Sequence, residues 1–424
     1  MKMPTKLNRS ILIIDNGSAT YLAETFTKYF DKVYYHSPIK SQFKDYILGS
    51  VGTGIKGVTR LNQWEQMENE IDYFYFTDLG WEDVAHRLRS EGKKVWGGTP
   101  ACFIEENREL FIDKLKDVGL QSATYEKITG IGNLREYLKD KKDKFIKASF
   151  WRYENETKHW HSYAHNKVWL DEKAVQLQGK SDSFEFLVFD PIKCKAEIGW
   201  DGYSVNGKMP DKGIFGLEIK DAGWAGVTWD KKHFPPAINE VNEKFGKALA
   251  EYNNCGMFST EIRWNSDTDF KFTDPVIDRS PEPPGAWQTS CITNFGDIIV
   301  GACDGIIVEP EYIDDYGCQI ILKSESVSDS GLNLQIPDKY KDLVRLKAYY
   351  EDKGEYYVIP FKKMNITMSE FGATIGWGKT VDAAIEMALE AAENIICDDY
   401  YYAKDAGDKA KTILDDLYSF GIKF

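Results

Sequence analysis

No CxxC pair occurs among the seven cysteines of this 424-residue chain (Cys102, Cys194, Cys255, Cys291, Cys303, Cys318 and Cys397), and their number is odd. That does not make a disulfide framework, and reduced thiols in a cytoplasm are expected. No apolar run approaches the roughly 18 residues needed to cross a bilayer. The opening MKMPTKLNRS has no apolar signal-peptide core, so a cytoplasmic protein without membrane contact is expected. Positive charge is scarce as well: 53 Lys and Arg against 67 Asp and Glu leave a net charge of −14. General nucleic-acid binding is thereby excluded, and any phosphate must be met by a local site. The absence of an internal repeat argues against a solenoid. Three familiar signatures are missing too. The turn after the first apolar run reads DNGSAT (15–20) rather than GxGxxG, there is no GxSxG elbow, and the Gly-rich GSVGTGIKG (49–57) lacks the GK[ST] ending of a phosphate loop. The last segment reads as a flexible connection.

What is there is enough chain, at roughly 150 residues per domain, for two to four packed units. It is 42% hydrophobic and 14% aromatic, which excludes disorder. A strand at 11–15 (ILIID), a helical stretch to about 30 and a strand at 32–35 make a β-α-β opening. A strand at 72–76, a helix at about 81–91 and a strand at 94–96 repeat the cycle, which calls for a parallel, doubly wound sheet. A helix carrying Phe111, Ile112, Leu115 and Val118 ends at Gly119. A smaller α/β unit follows, with strands near 124–128 and 144–148 around a helix at 132–139, then an aromatic, basic stretch to Leu170 and strands to about 189. Pro235-Pro236 opens a helix with Ile238, Val241, Phe245, Leu249 and Tyr252 in register. A long hairpin spans 257–277. The last 120 or so residues read as a separate α+β lobe, whose clearest element is a helix at 380–396.

Lys147 ends the strand FIKAS on the face it shares with Phe145, where an ammonium can hold phosphate oxygens as a point charge; a solvated lysine is the bland alternative. In the hairpin, Met257, Ser259, Glu261 and Arg263 alternate onto one face of the first strand, while Phe270, Phe272 and Asp274 share a face of the second. The carboxylates of Glu261 and Asp274 can then meet. Charge inside a strand is costly unless paired or bound to a cation, and hard oxygen ligands suit Mg²⁺ carried in with phosphates. The alternative is a Glu261–Arg263 surface with Asp274 capping a turn, and a one-residue slip would separate the two carboxylates. Beyond them DPVIDRSPEPPG (274–285) is a proline-stiffened loop presenting Asp278 and Arg279. The planar fork of Arg279 suits a carboxylate or an acyl phosphate, or else a salt bridge to Asp278 or Glu282. His159, His161 and His165 would line one face of an extended strand with Tyr163. Zinc is one reading, but Arg152, Lys158 and Lys167 flank them and no Cys or carboxylate completes the set, so a basic, aromatic lid over a phosphate-bearing ligand is preferred.

Taken in order, these landmarks resemble the ATP-grasp superfamily and, within it, the phosphoribosylamine–glycine ligase family. They are the β-α-β opening, ENRELFIDKLKDVGLQSATYEKI (106–128), the Lys strand FIKAS (145–149), the acidic hairpin and the ending GATIGWGKTVDAAIEMALEAAENI (372–395). The resemblance implies an α/β and α+β protein with an ATP-grasp fold. Its N-terminal Rossmann-like domain would cover 1–98, an ATP-grasp core 99–305 with a lid at about 122–190, and a C-terminal α+β lobe 306–424. It also implies an ATP-dependent carboxylate–amine ligase, monomer or homodimer, working through an acyl phosphate on small-molecule carboxylate and amine substrates. Its cofactors would be ATP and Mg²⁺, with Mn²⁺ as the alternative ion.

Carried over residue by residue, Arg108 and Lys147 match the family's two ATP-binding lysine positions, Lys147 serving catalysis as well. Asp190 ends the strand into the adenine-contacting hinge, and Glu197 matches the acidic residue where ribose would be held. Glu261 and Asp274 match the metal carboxylates; Val276 stands where the family has Asn, leaving Asp278 to substitute. Arg279 matches the Arg that follows and would stabilise the acyl phosphate. The lid loop SFWRYENETKHWH (149–161) departs from the family's Gly-rich GxxxGKG stretch. That departure leaves open a non-catalytic nucleotide- or metabolite-binding descendant, and an amino-acid ligase acting on a modified nucleotide or peptide.

Overall fold

The computed structural model describes residues 6–38, 51–150, 157–360 and 368–424. The first apolar runs form strands β1 (Leu7–Ile14), β2 (Phe30–His36), β3 (Val58–Arg60), β4 (Tyr73–Phe76) and β5 (Lys94–Trp96). They make one parallel sheet in the order β3-β2-β1-β4-β5. Ile11 through Ile14 are buried without alternation, as both faces of a parallel sheet demand. In the DNGSAT turn the buried Asp15 carboxylate accepts from Tyr35 Oη at 2.6 Å, Thr77 Oγ1 at 2.8 Å and the Ala19 amide at 3.2 Å. It anchors the turn from inside.

The next unit is an antiparallel sheet of β6 (Tyr125–Thr129), β7 (Lys144–Ala148), β8 (Thr157–Trp160) and β9 (Glu185–Phe189), ordered β6-β9-β7-β8. Ile146, Phe186 and Val188 pack with Leu134 and Leu138 of the helix Ile131–Leu138 and Leu170 of the helix Tyr163–Leu177. By alternation Phe145, Lys147 and Phe189 turn the other way. The 15-residue helix corrects the expected extended stretch: Ser162 caps it through the His165 amide at 3.4 Å, so His165 stands on a helix while His159 stands on β8. The three rings still touch, with centroids 4.0 and 4.8 Å apart, and His159 reaches Asp143 at 2.7 Å. Among the described residues no group of three His, Cys, Asp or Glu is placed to hold a metal ion. Arg152 lies outside the described residues.

The remaining strands are β10 (Ala196–Val205), β11 (Lys212–Ile219), β12 (Gly223–Asp230), β13 (Cys255–Ser266), β14 (Asp269–Ile277), β15 (Tyr316–Ser324), β16 (Leu332–Leu334), β17 (Val344–Leu346), β18 (Tyr349–Asp352), β19 (Glu355–Val358) and β20 (Ser369–Gly378). Eight of them form one antiparallel sheet, β14-β13-β10-β11-β12-β15-β20-β17, and β16-β19-β18 form a small one. The large sheet runs through the seam at which a separate C-terminal lobe was expected. Strand β12 (GWAGVTWD) has no proline or lysine to blunt its edge, and β15 pairs along it from Gly223↔Ile320 to Val227↔Tyr316.

The helix Pro236–Ala250 packs Val241, Phe245 and Leu249 on Phe258, Ile262 and Phe272 of the hairpin. The helix Val381–Glu393, capped by Thr380, comes so close to β20 that a Cβ at Gly376 would lie 2.1 Å from the Ala384 carbonyl. Of the Gly-rich segment, residues 51–57 are described, and they dock on β18: Gly52 N donates to Tyr349 O at 2.8 Å and Glu351 N to Thr53 O at 2.9 Å. Gly54, at φ +78°, leaves no room for a Cβ, which would meet the Glu351 carbonyl at 1.9 Å. The segment is a docked connection between the first sheet and the C-terminal strands. No helix among the described residues is long and apolar enough to cross a membrane.

Candidate active site

Strands β13 and β14 pair regularly from Trp264↔Phe270 to Ile262↔Phe272, and then the register shifts: Glu261 faces Asp274, leaving Thr273 as the extra residue. Phe270 and Phe272 belong to the core beneath the sheet. Unbroken alternation would have sent Asp274 to that same side and away from Glu261. The bulge at Thr273 reverses this and sets both carboxylates on one side, directly opposite each other. The expectation that the two meet therefore holds for a reason its face counting did not contain.

A cleft opens between the four-stranded sheet and the hairpin. From the sheet and its flanks it is lined by Phe145, Lys147, Thr157, Phe189 and Asp190; from the other side it is lined by Arg108, Phe111, Glu261, Arg263, Phe272 and Thr273. Arg108 is the first residue of the helix Arg108–Asp117, whose N-cap Asn107 accepts from the amides of Glu109 and Leu110 at 3.1 Å each. The backbone amide of Arg108 donates to Ser149 O at 3.0 Å, at the end of the strand that carries Lys147. Its guanidinium is buried and lies 3.8 Å from Asp274. Asp190 is paired with Lys144 at the cleft margin.

Three expected site residues stand elsewhere. Glu197 sits opposite Arg263 on β10 and forms an ion pair with it, and is not among the residues lining the cleft. Burial, reinforced by the neighbouring Glu261 carboxylate, pushes Glu197 up to about 7. Asp278 is buried at φ +57°, and its carboxylate accepts from the Thr99 amide at 3.2 Å and from the Thr99 hydroxyl. Burial raises it to about 6. The left-handed backbone turns it toward the Thr99 turn after β5, so it does not complete a metal set with Glu261 and Asp274. Arg279 also stands apart from the cleft lining. Its guanidinium is held by Glu105 at 3.0 Å, Asp78 at 3.1 Å and Glu282 at 3.6 Å, and those carboxylates raise its already high affinity for its proton.

Arg263 and Thr273 are cleft residues that the sequence reading left without a part. Arg263 bridges Glu197 and Glu261, the latter at 3.0 Å. Its place on the Glu261 face was readable from alternation, whereas nothing in the sequence marks Thr273 as a bulge. Chemically, Glu261 in the cleft and Asp274 opposite it are two oxygen-only carboxylates with cations close by. One or two carboxylates completed by phosphate oxygens and water is the donor set Mg²⁺ takes, so Glu261 and Asp274 fit that ion.

No protein-family model matches the sequence, and no curated protein matches it. Solved structures do. Phosphoribosylamine–glycine ligase from Thermotoga maritima superposes with a TM-score of 0.68 at 15% identity, over 93% of this chain and 99% of that one. The biotin carboxylase domain of Hydrogenobacter thermophilus 2-oxoglutarate carboxylase, solved with MgADP, ADP and bicarbonate, gives 0.64 at 10% identity over 98% and 99%. N5-carboxyaminoimidazole ribonucleotide synthetase from Thermotoga maritima gives 0.57 at 12% identity over 93% and 100%. All three are ATP-grasp enzymes. The chain thus has the ATP-grasp fold.

Proposed function

We propose that the chain is an ATP-dependent carboxylate–amine ligase that activates its carboxylate substrate as an acyl phosphate. The observation that carries this reading is the joint lining of one cleft by Arg108, Lys147 and Glu261, with Asp274 opposite Glu261. Lys147 and Arg108 would neutralise the phosphates of ATP, the lysine as a point charge on the lid and the arginine as a planar fork on the core. Glu261 and Asp274 would hold Mg²⁺, which when bound offsets charge on the β- and γ-phosphate oxygens. Phe145, Phe189 and Asp190 form the lid wall available to the nucleoside. Glu197 would act through Arg263. Arg279, whose fork is held by three carboxylates apart from the cleft lining, is given no part in this reaction.

The γ-phosphoryl passes to the substrate carboxylate, ADP leaves, and the amine displaces phosphate from the acyl carbon. Positioning and electrostatics supply the rate, and no protein nucleophile is required. Closure of the lid sheet over the hairpin would keep water from the intermediate. The structural neighbours support the reaction type, and the substrate pair is left to experiment. The test is release of ADP and phosphate with ATP and Mg²⁺ across a panel of amino acids, small carboxylates and amine-bearing nucleotides, with hydroxylamine added to trap the acyl phosphate as a hydroxamate. Carboxylate-dependent ADP release with hydroxamate formation is expected. No turnover together with no binding of MgADP would overturn the reading.

A further inference from the structure

Thr273 is the extra residue of the bulge, it lines the cleft, and its hydroxyl lies 3.1 Å from both the backbone carbonyl and the Oε1 atom of Glu261. The Glu261 carboxylate is asymmetric. Oε1 takes Arg263 at 3.0 Å and shares the single Thr273 hydroxyl proton with the Glu261 carbonyl, whereas Oε2 has no partner among the described residues. A glutamate on a strand has three rotatable bonds and would sample several orientations across the cleft. Two donors converging on one oxygen remove that freedom and leave the other oxygen presented.

Resting on the reading of Glu261 as a metal ligand, we infer that Thr273 is a positioning residue that fixes the Glu261 carboxylate for one-oxygen coordination of a divalent cation. Thr273 does this twice over. Its backbone forms the bulge that keeps Asp274 opposite Glu261, and its hydroxyl clamps the oxygen that faces away from the cation. The second contribution can be separated from the first, because valine keeps the β-branched shape of the bulge and removes only the hydroxyl. Serine restores the hydroxyl.

The experiment titrates Mn²⁺ into the full chain with a non-hydrolysable ATP analogue present, reading free Mn²⁺ by electron paramagnetic resonance, for wild type, Thr273→Val and Thr273→Ser. Losing a hydrogen bond to a charged group should weaken Mn²⁺ affinity about tenfold in Thr273→Val. Binding of the analogue without metal should stay at the wild-type value, and Thr273→Ser should recover most of the loss. Thr273→Val with wild-type Mn²⁺ affinity overturns the inference while leaving the ligase reading intact. So does a deficit that serine fails to repair, since that would mark a packing role. A wild-type chain that takes up no Mn²⁺ beside the nucleotide removes the reading and the inference together.

Discussion

Glu261 and Asp274 face each other across β13 and β14 because the bulge at Thr273 takes up the one residue too many in the ladder between them. Deleting Thr273 should remove the bulge yet keep the opposition, because Asp274 would then follow Phe272 directly and alternate to the Glu261 side. The deletion variant should therefore fold and still bind MgADP, more weakly for want of the Thr273 hydroxyl; circular dichroism and calorimetric titration with MgADP test this, and complete loss of MgADP binding in a folded variant would show that the opposition of the two carboxylates does not suffice.

Lys147→Ala and Asp274→Asn should each lower ATP turnover on the order of a hundredfold or more, the scale seen when one preorganised group is removed from developing charge. Both residues are partly exposed, so melting temperatures should change little. Steady-state kinetics beside thermal melts provide the check, and full activity in either variant would dismiss the site.

Nucleotide should also stabilise the fold. A ligand that binds only the native state at a hundred times its dissociation constant adds about 2.7 kcal/mol, which a thermal-shift measurement with MgADP resolves easily. The same ligand added to Lys147→Ala should give a smaller shift.

Asp201 gives a pH signature. It lies buried on β10, with Ser259 and Gln288 as hydrogen-bond partners, and burial raises its carboxyl to about 7. A raised carboxyl is favoured protonated in the native state, so the stability it contributes is complete below about pH 4, its unfolded range, and is lost as pH rises through about 7. Urea midpoints should therefore fall between pH 5 and pH 8, and Asp201→Asn should reduce that fall. An unchanged pH slope in the variant would argue against the assignment.

Arg279 separates a structural duty from a chemical one. Removing it leaves the fully buried Glu105 without its guanidinium partner, and breaking a buried pair on one side costs about 3 kcal/mol or more. Arg279→Met should be destabilised by that amount in chemical denaturation, and the double variant with Glu105→Gln should recover much of it. If the double variant regains stability but not turnover, the arginine also has a part in the reaction.

Much of this architecture could be read from residue order. The β-α-β cycles, the strand that carries Lys147, the helix expected at 380–396 and the long acidic hairpin follow from periodicity and punctuation that act locally. Features decided by distant partners were hidden. The helix Tyr163–Leu177 has no clean apolar stripe, since Val168 and Val175 are exposed while Leu170 is buried, so its pattern did not announce a helix. The bulge at Thr273 leaves no compositional mark. Asp278 and Arg279 sit in a stiff, charged loop that reads as a ligand site, yet Thr99, Glu105 and Asp78 claim them, and those partners come from segments some 170 to 200 residues away.

The unbroken run of hydrogen bonds from β14 to β17 bears on how the molecule could be cut. Cleaving the chain after residue 305 would strip β15 from β12 and bare a strand rich in tryptophan and glycine, with no charge along its middle to discourage another copy from annealing to it. The amino-terminal fragment should then self-associate instead of surviving as a smaller monomer, so the carboxy-terminal part of the chain shields the large sheet from its own kind.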